Sequence, residues 1–221
     1  MKKFGISLML VFVMCCFAAS GYAQTGKEGC PLTQDVNRSV MLDKYLQGQK
    51  LYDQENYSKA LPLLQGAAQA GNPNAQYLLA TMHDFGYGLP VDHVVANEWY
   101  LKAAQQSNDD AQYNLGISYQ IGEGIEKNMD MSVCWIAKAA ANGDDDSMQV
   151  LTKYAERYPE AMYALAQIYR NGVKLHNDLK LYPHEADNSA IKPDMQLYKS
   201  WLQKAAGAGH AVAAQEIKTV N

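Results

Sequence analysis

An all-α solenoid of stacked helical hairpins is the fold this sequence predicts, and three observations predict it. The chain repeats itself at a fixed offset of 36 residues. Ala75-Gln76-Tyr77 returns as Ala111-Gln112-Tyr113, Gly86-Tyr87-Gly88 as Gly122-Glu123-Gly124, Trp99 as Trp135, and Lys102-Ala103-Ala104 as Lys138-Ala139-Ala140. A period of this size belongs to arrays whose units bury their apolar faces on one another. Within a unit, Tyr113, Leu115, Ile117, Tyr119 and Ile121 recur at helical spacing around the small Gly116. The Gly-x-Gly pair then stops that helix, since a helix end commonly takes a positive φ that glycine adopts freely. A second helix follows, ending in Trp-x-x-Lys-Ala-Ala, whose alanines let neighbouring helices approach while the Trp fills the gap beside them.

At the N-terminus, Lys2 and Lys3 precede an apolar run over 6–19, interrupted only by Ser7, and then Gly21-Tyr22-Ala23 ahead of Gln24. Positive, apolar and small in that order reads as a cleavable signal peptide over 1–23. The apolar run is shorter than the roughly 20 residues a bilayer span needs. Cys30 does not directly follow the cleavage site, so no lipid anchor is expected. The mature chain is then periplasmic or secreted, without membrane insertion after cleavage.

Residues 24–41 form an N-terminal extension and 42–221 the helical repeat domain. The first unit has a helix over about 42–54, a tight Glu55-Asn56 turn and a second helix with Ala67-Ala68 and Gly71 in register. Two full units follow. Ser147 should open another, yet Ala161-Met162-Tyr163-Ala164-Leu165-Ala166 restarts the pattern only 14 residues later. One extra helix, 147–157, is thus expected, with Pro159 starting the next. Trp201 and Lys204-Ala205-Ala206 close that last unit, which carries 16 additional residues within about 173–193. A long loop in a compact array is usually functional or disordered. A half-helix over 213–220 caps the stack.

Charge narrows the function. Of 19 basic residues Lys2 and Lys3 leave with the signal peptide, against 23 acidic ones, a net charge of −6 for the mature chain. An acidic chain without a basic stripe suits neither nucleic acid nor anionic membranes. Cys15 and Cys16 also leave. Cys30 and Cys134 remain, and in an oxidising compartment they can pair if their Cα atoms come within about 7 Å. The other outcome is one buried and one exposed thiol.

Leu115-Gly116, Tyr119, Gly122 and Gly124, followed by Trp135, Lys138-Ala139-Ala140 and Gly143, spell Leu-Gly-x-x-Tyr-x-x-Gly-x-Gly and Trp-x-x-Lys-Ala-Ala-x-x-Gly. That pattern resembles the Sel-one-like repeat, a relative of the tetratricopeptide repeat. The preceding copy departs from it at His83, where Tyr is usual, and at Ser107, where Gly is usual. The first unit, without Gly-x-Gly, looks like a plain tetratricopeptide repeat. The resemblance covers about 42–220. It implies a scaffold or adaptor, and some such relatives are exported bacterial proteins.

Candidate chemistry is sparse. Ser189-Ala190-Ile191-Lys192 fits the Ser-x-x-Lys motif of penicillin-interacting enzymes. Pro193, however, biases Lys192 away from the helix that motif needs, and neither Ser-Asp-Asn nor Lys-Thr-Gly is present. Relatives reported to act on penicillins carry a cysteine pair in each repeat, and this chain does not. His176, Asp178, His184, Glu185 and Asp187 could ligate a metal, but lack the tight His/Cys spacing of a zinc site. Trp99, Trp135 and Trp201 share one repeat position, which argues for core packing. Asp109-Asp110 and Asp144-Asp145-Asp146 precede helix starts, where they can cap amides and complement the dipole. The reading is an exported, non-enzymatic protein-binding scaffold or adaptor that uses the concave surface of the array and needs no cofactor. Tyr182, with His184 and Glu185, is the expected partner-binding group in the insertion. Two alternatives are a periplasmic immunity protein against a delivered toxic effector, and a penicillin-interacting enzyme built on Ser189 and Lys192.

Overall fold

Each short helix in this chain has its own start and stop signal, and the fold follows from where those signals recur. The computed structural model describes residues 31–173 and 191–220, with side chains from residue 39. The described residues form ten helices: α1 (Pro31–Asp53), α2 (Tyr57–Gln69), α3 (Pro73–Phe85), α4 (His93–Gln105), α5 (Asp109–Ile121), α6 (Met129–Asn142), α7 (Asp145–Tyr154), α8 (Pro159–Asn171), α9 (Met195–Gly207) and α10 (Ala211–Val220). No strand occurs among them. The chain divides into two compact units, Met1–Val40 and Met41–Asn221. The second holds the all-α solenoid. Helix α1 begins at Pro31 and not near 42, so part of the expected extension is helical.

The starts are capped by residues 36 apart. Asn72, Asn108 and Asp144 accept from the amides of Ala75, Ala111 and Ser147 at 2.9, 2.8 and 2.7 Å. A cap of this kind contributes about 1 kcal/mol. The expectation that Asp109-Asp110 would cap α5 is corrected here: Asn108 does so, and Asp109 and Asp110 lie inside the first turn, where their charge complements the dipole. Asp145 and Asp146 stand likewise in α7. Second helices are capped by Asp92, Asn128 and Asp194.

Glycine sets the return. Gly86 and Gly122 end α3 and α5 in the left-handed region. The second glycine of each pair serves a close approach. A Cβ on Gly88 would lie 2.9 Å from Tyr57 Cβ, and one on Gly124 would lie 2.4 Å from the His93 carbonyl carbon. Each loop therefore presses on the start of the preceding unit's second helix. One backbone bond closes each hairpin: the amides of Asp92, Asn128 and Asp194 donate to the carbonyls of His83, Tyr119 and Tyr169 at 2.8, 2.9 and 2.7 Å.

Packing repeats with the same period. Helices α3 and α4, α5 and α6, and α8 and α9 pair as hairpins, and α2 on α3, α4 on α5 and α6 on α7 join successive units. Leu64, Tyr100 and Ile136 occupy one fully buried position, and Ala67-Ala68, Ala103-Ala104 and Ala139-Ala140 another. Gly116 lets Ile136 close on α5, since a Cβ there would stand 2.7 Å from Ile136 Cγ1. Buried Gln76 and Gln112 donate through Nε2 to the carbonyls of Ala68 and Ala104, at 3.1 and 3.0 Å, which satisfies the end of the preceding helix. Trp135 is buried, while Trp99 and Trp201 are half-buried and each pack against two adjacent cores. Lys102, Lys138 and Lys204 lie over these three rings at 3.8, 3.9 and 4.0 Å.

The extra helix is α7, a first helix without its second. Ser147 and Leu151 stand 36 residues after Ala111 and Leu115 and are as fully buried. α7 ends at Tyr154, whose hydroxyl is hydrogen-bonded to Ser132 of α6 at 3.1 Å. Helix α8 then packs on both α6 and α7. Both ends of the window expected to hold the insertion fall on described residues. Val173 is buried, its amide donates to the Ile191 carbonyl at 2.8 Å, and Pro193 lies against Gly172.

Candidate protein-binding face

Four tyrosines stand on or just ahead of the first helices. Tyr52 on α1, Tyr77 on α3, Tyr113 on α5 and Tyr158 just ahead of α8 are all half-buried. The 36-residue period places Tyr77 and Tyr113 at one repeat position. Tyr52 is joined to α3 by a 3.0 Å hydrogen bond with the Thr81 hydroxyl. The Tyr77 ring is 6.1 Å from that of Tyr100, and Tyr158 meets Tyr154 edge-on at 6.0 Å. Tyr52 also reaches an aromatic group toward the hairpin loops, where Tyr57 and Tyr87 stack at 4.7 Å beside Phe85, which is 60% exposed.

Carboxylates act electrostatically on two of these rings, Tyr77 and Tyr113. Burial, then Asp110, push the Tyr77 phenol well above its usual range, and burial, then Asp146 and Asp144, push up Tyr113. Asp110 is exposed as a residue, yet the protein around its carboxyl, and then Asp109 and Asp144, push it up to about 6. Among the described residues, none of Asp109, Asp110, Asp145 and Asp146 forms an ion pair.

Two other polar groups are structural. His93 bridges Asp84 and Glu123 at 2.8 and 3.2 Å, with the Tyr100 hydroxyl donating to Asp84 at 3.2 Å. Glu216 accepts from the hydroxyls of Tyr163 and Tyr198, from Gln167 and from Arg170, at 3.0, 2.7, 3.1 and 2.7 Å. A cleft of about 360 Å³ lies between α4, α5 and α6, lined in part by Gln112, Trp135, Lys138 and Asn142.

The expected insertion residues Tyr182, His184 and Glu185 lie outside the described residues, as do His176, Asp178, Asp187, Ser189 and Cys30. Lys192 is exposed ahead of α9, and Cys134 is exposed on α6. Leu115 and Gly116 are buried, and the half-buried Tyr119 packs against the same core as Trp135. The tyrosine row had a signal in the sequence, the 36-residue offset between Tyr77 and Tyr113. The Glu216 group had none, because its members are 18 to 53 positions away from it. No group of three His, Cys, Asp or Glu among the described residues could hold a metal ion. No described helix is long and apolar enough to cross a membrane.

Compared with protein families, residues 45–72, 73–108, 109–144, 159–179 and 191–210 match the Sel1 repeat, over more than half of the chain. The unmatched stretch after 144 holds α7. Among solved structures, the chain is similar to a Sel1 repeat protein from Oxalobacter formigenes, at 29% identity over 79% of this chain and 58% of that one, with a TM-score of 0.43. It is also similar to c5321, a protective antigen of uropathogenic Escherichia coli with an SLR fold. There the identity is 21%, over 83% of this chain and 41% of that one, with a TM-score of 0.52. Cysteine-rich protein B of Helicobacter pylori is 23% identical over 53% of this chain and 90% of that one, with a TM-score of 0.46. This chain thus spans less than two thirds of the length of the first two. No curated protein matches it.

Proposed function

The chain belongs to the Sel1 repeat family, and on that footing we propose that it is a non-enzymatic protein-binding scaffold or adaptor whose partner lies along the first-helix face. The tyrosine row carries this reading. Tyrosine supplies large contact area for little lost rotamer freedom and is enriched where binding energy concentrates. Here Tyr77 and Tyr113 stand on helices α3 and α5, which are held by buried Leu79 and Leu115, so the surface is organised before a partner arrives. A repeat array turns such positions into one extended surface. Export by the signal peptide over 1–23 is part of the proposal, and a mature N-terminus at Gln24 in mass spectrometry is its check.

Affinity capture tests the binding reading. The chain, immobilised beside its Tyr77→Ala/Tyr113→Ala variant, is offered proteins from the envelope of its own cell and from competing bacteria. A partner kept by the first and lost by the second is the expected result. An envelope-assembly component points to a scaffold, a toxic effector to an immunity protein. Equal retention by both would remove the face from the proposal.

A further inference from the structure

We propose that the cleft between α4, α5 and α6 is a binding site for a carboxylate on a short aliphatic stem, whether a glutamate side chain or a free dicarboxylic acid. It stands apart from the tyrosine row, since none of Tyr52, Tyr77, Tyr113 and Tyr158 lines it. Its volume of about 360 Å³ suits a small ligand or one side chain. Buried Gln112 ties its walls together. The amide Nε2 donates to the Ala104 carbonyl at 3.0 Å, and Oε1 accepts from Asn142 Nδ2 at 3.2 Å.

The groups left over are donors. Among the described residues that line the cleft, Lys138 is the one ionisable group, and it forms no ion pair with a described residue. Its ammonium lies 3.9 Å over the Trp135 ring. Trp135 is 6% exposed, and its indole N–H has no hydrogen-bond partner among the described residues. An indole nitrogen can only donate, and a buried donor is rarely left unbonded. A carboxylate brings the opposite charge and two acceptor oxygens, one for the ammonium and one for the indole. Ala104 and Ala141 offer its stem an apolar wall. Free carbonyls at two helix ends would oppose an anion, but here they are already bonded. Ala104 accepts from Gln112 and the Ser107 amide, and Ala139 and Ala140 accept from the Asp144 and Gly143 amides.

The preceding unit supplies the contrast. At the place of Asn142 it has Gln106, which donates to Gln76 Oε1 at 2.8 Å and also to the Lys102 carbonyl at 3.3 Å. Asn142 is one methylene shorter, and its neighbour Trp135 is buried where Trp99 is half-buried.

Heteronuclear NMR of the full chain tests the site through its three tryptophan indole N–H signals, with Trp135→Phe assigning the relevant one. Glutarate, its neutral diamide and a capped Ala-Glu-Ala tripeptide are titrated in turn. The expected result is a saturable shift of the Trp135 signal with glutarate or the tripeptide, half-complete at about 1 mM or below. The Trp99 and Trp201 signals should not follow it, and the diamide should act at least about tenfold more weakly. Saturation by glutarate alone identifies a free acid as the ligand, and saturation by the tripeptide identifies a partner's side chain. Lys138→Gln should weaken binding about tenfold or more. Asn142→Gln should do the same, by installing the amide that the preceding unit already accommodates. Lys102→Gln, the same charge removal one unit earlier, should alter it less than about twofold. Circular dichroism confirms that each variant is folded. A Trp135 signal that does not move, that moves equally with the diamide, or that is indifferent to Lys138→Gln or to Asn142→Gln would overturn the proposal.

Discussion

In the two full units, 73–108 and 109–144, the joints between helices are made twice by the same atoms, whereas from α7 onward only some of them recur. The Gln76 and Gln112 amides tie each first helix to the carbonyl end of the helix before it. At the corresponding place α7 has Met148 and α8 has Met162, which pack against the core and make no such bond. Asn72 and Asn108 cap with their side chains, but Tyr158 ahead of α8 does not. What replaces these joints is Glu216, one carboxylate that ties α8, α9 and α10 together. Repetition spreads stability over many small equivalent contacts, and the irregular end concentrates it in few.

Seven substitutions break or sharpen that contrast. The largest effect is expected at Gly124→Ala, where φ is +66° and the new Cβ would stand 2.4 Å from the His93 backbone. Left-handed strain and overpacking together should cost about 3–4 kcal/mol in urea unfolding. Gly209→Ala, at φ +98° with nothing within 4 Å, should cost only about 1–2 kcal/mol. Equal losses would show that the loop contact does not hold the regular units. Next come Leu115→Ala and Leu151→Ala, both at fully buried positions, each expected to cost about 2–5 kcal/mol. If Leu151→Ala is much the cheaper, α7 is an appendage and not a first helix.

Glu216→Gln should cost about 1–2 kcal/mol, and the loss should depend on pH. Burial pushes this carboxyl up, but hydrogen bonds from Tyr198, Tyr163 and Gln167 and the Arg170 charge outweigh it and hold it below the usual carboxylate range. A carboxylate depressed by folding stabilises above its unfolded value, about 4.3, and loses that contribution as pH falls through the folded one. Thermal melts of the two proteins should therefore differ most near neutrality and converge in acid. A gap that stays constant down to acid pH would mean that charge is not what Glu216 contributes. The smallest effect, about 0.5 kcal/mol each, is expected for Lys138→Ala and Lys204→Ala. The two should match, since the Trp–Lys stack is one of the few parts common to both regions.

The regular part was legible because its signals are local and recur. Gly-x-Gly, Trp-x-x-Lys-Ala-Ala and the offset of 36 mark the hairpins, and the early restart at Ala161 marks an extra helix. Its fit was not legible, because packing of α8 on both α6 and α7 is a choice among tertiary arrangements that share the same periodicity. Capping follows the acidic run at α7, where Asp144 is the cap, but at α5 it lies one residue ahead of the acidic pair. Asp109-Asp110 looked like the cap because a run of acids is conspicuous, while Asn108 holds the geometry. Tyr113 falls within the apolar periodicity of its helix. Amphipathic patterning separates inside from outside but does not mark positions that are half of each. Glu216 was invisible because only folding brings Tyr163, Arg170 and Tyr198 to it.

The second glycine of each pair bears on how the chain would respond to being pulled from its ends. Gly88 and Gly124 latch their loops onto the preceding unit at Tyr57 and His93, so tension on one unit is handed to the one before it. Two residues after Gly172 the sequence has Lys174 in place of that glycine. The described contacts of Gly172 are with Ile191 and Pro193, within its own unit. Under tension the array should part first after residue 144. The three units up to that point should stay latched while α8 to α10 peel away as one block held by Glu216, giving a stretched molecule with one early rupture and one late one.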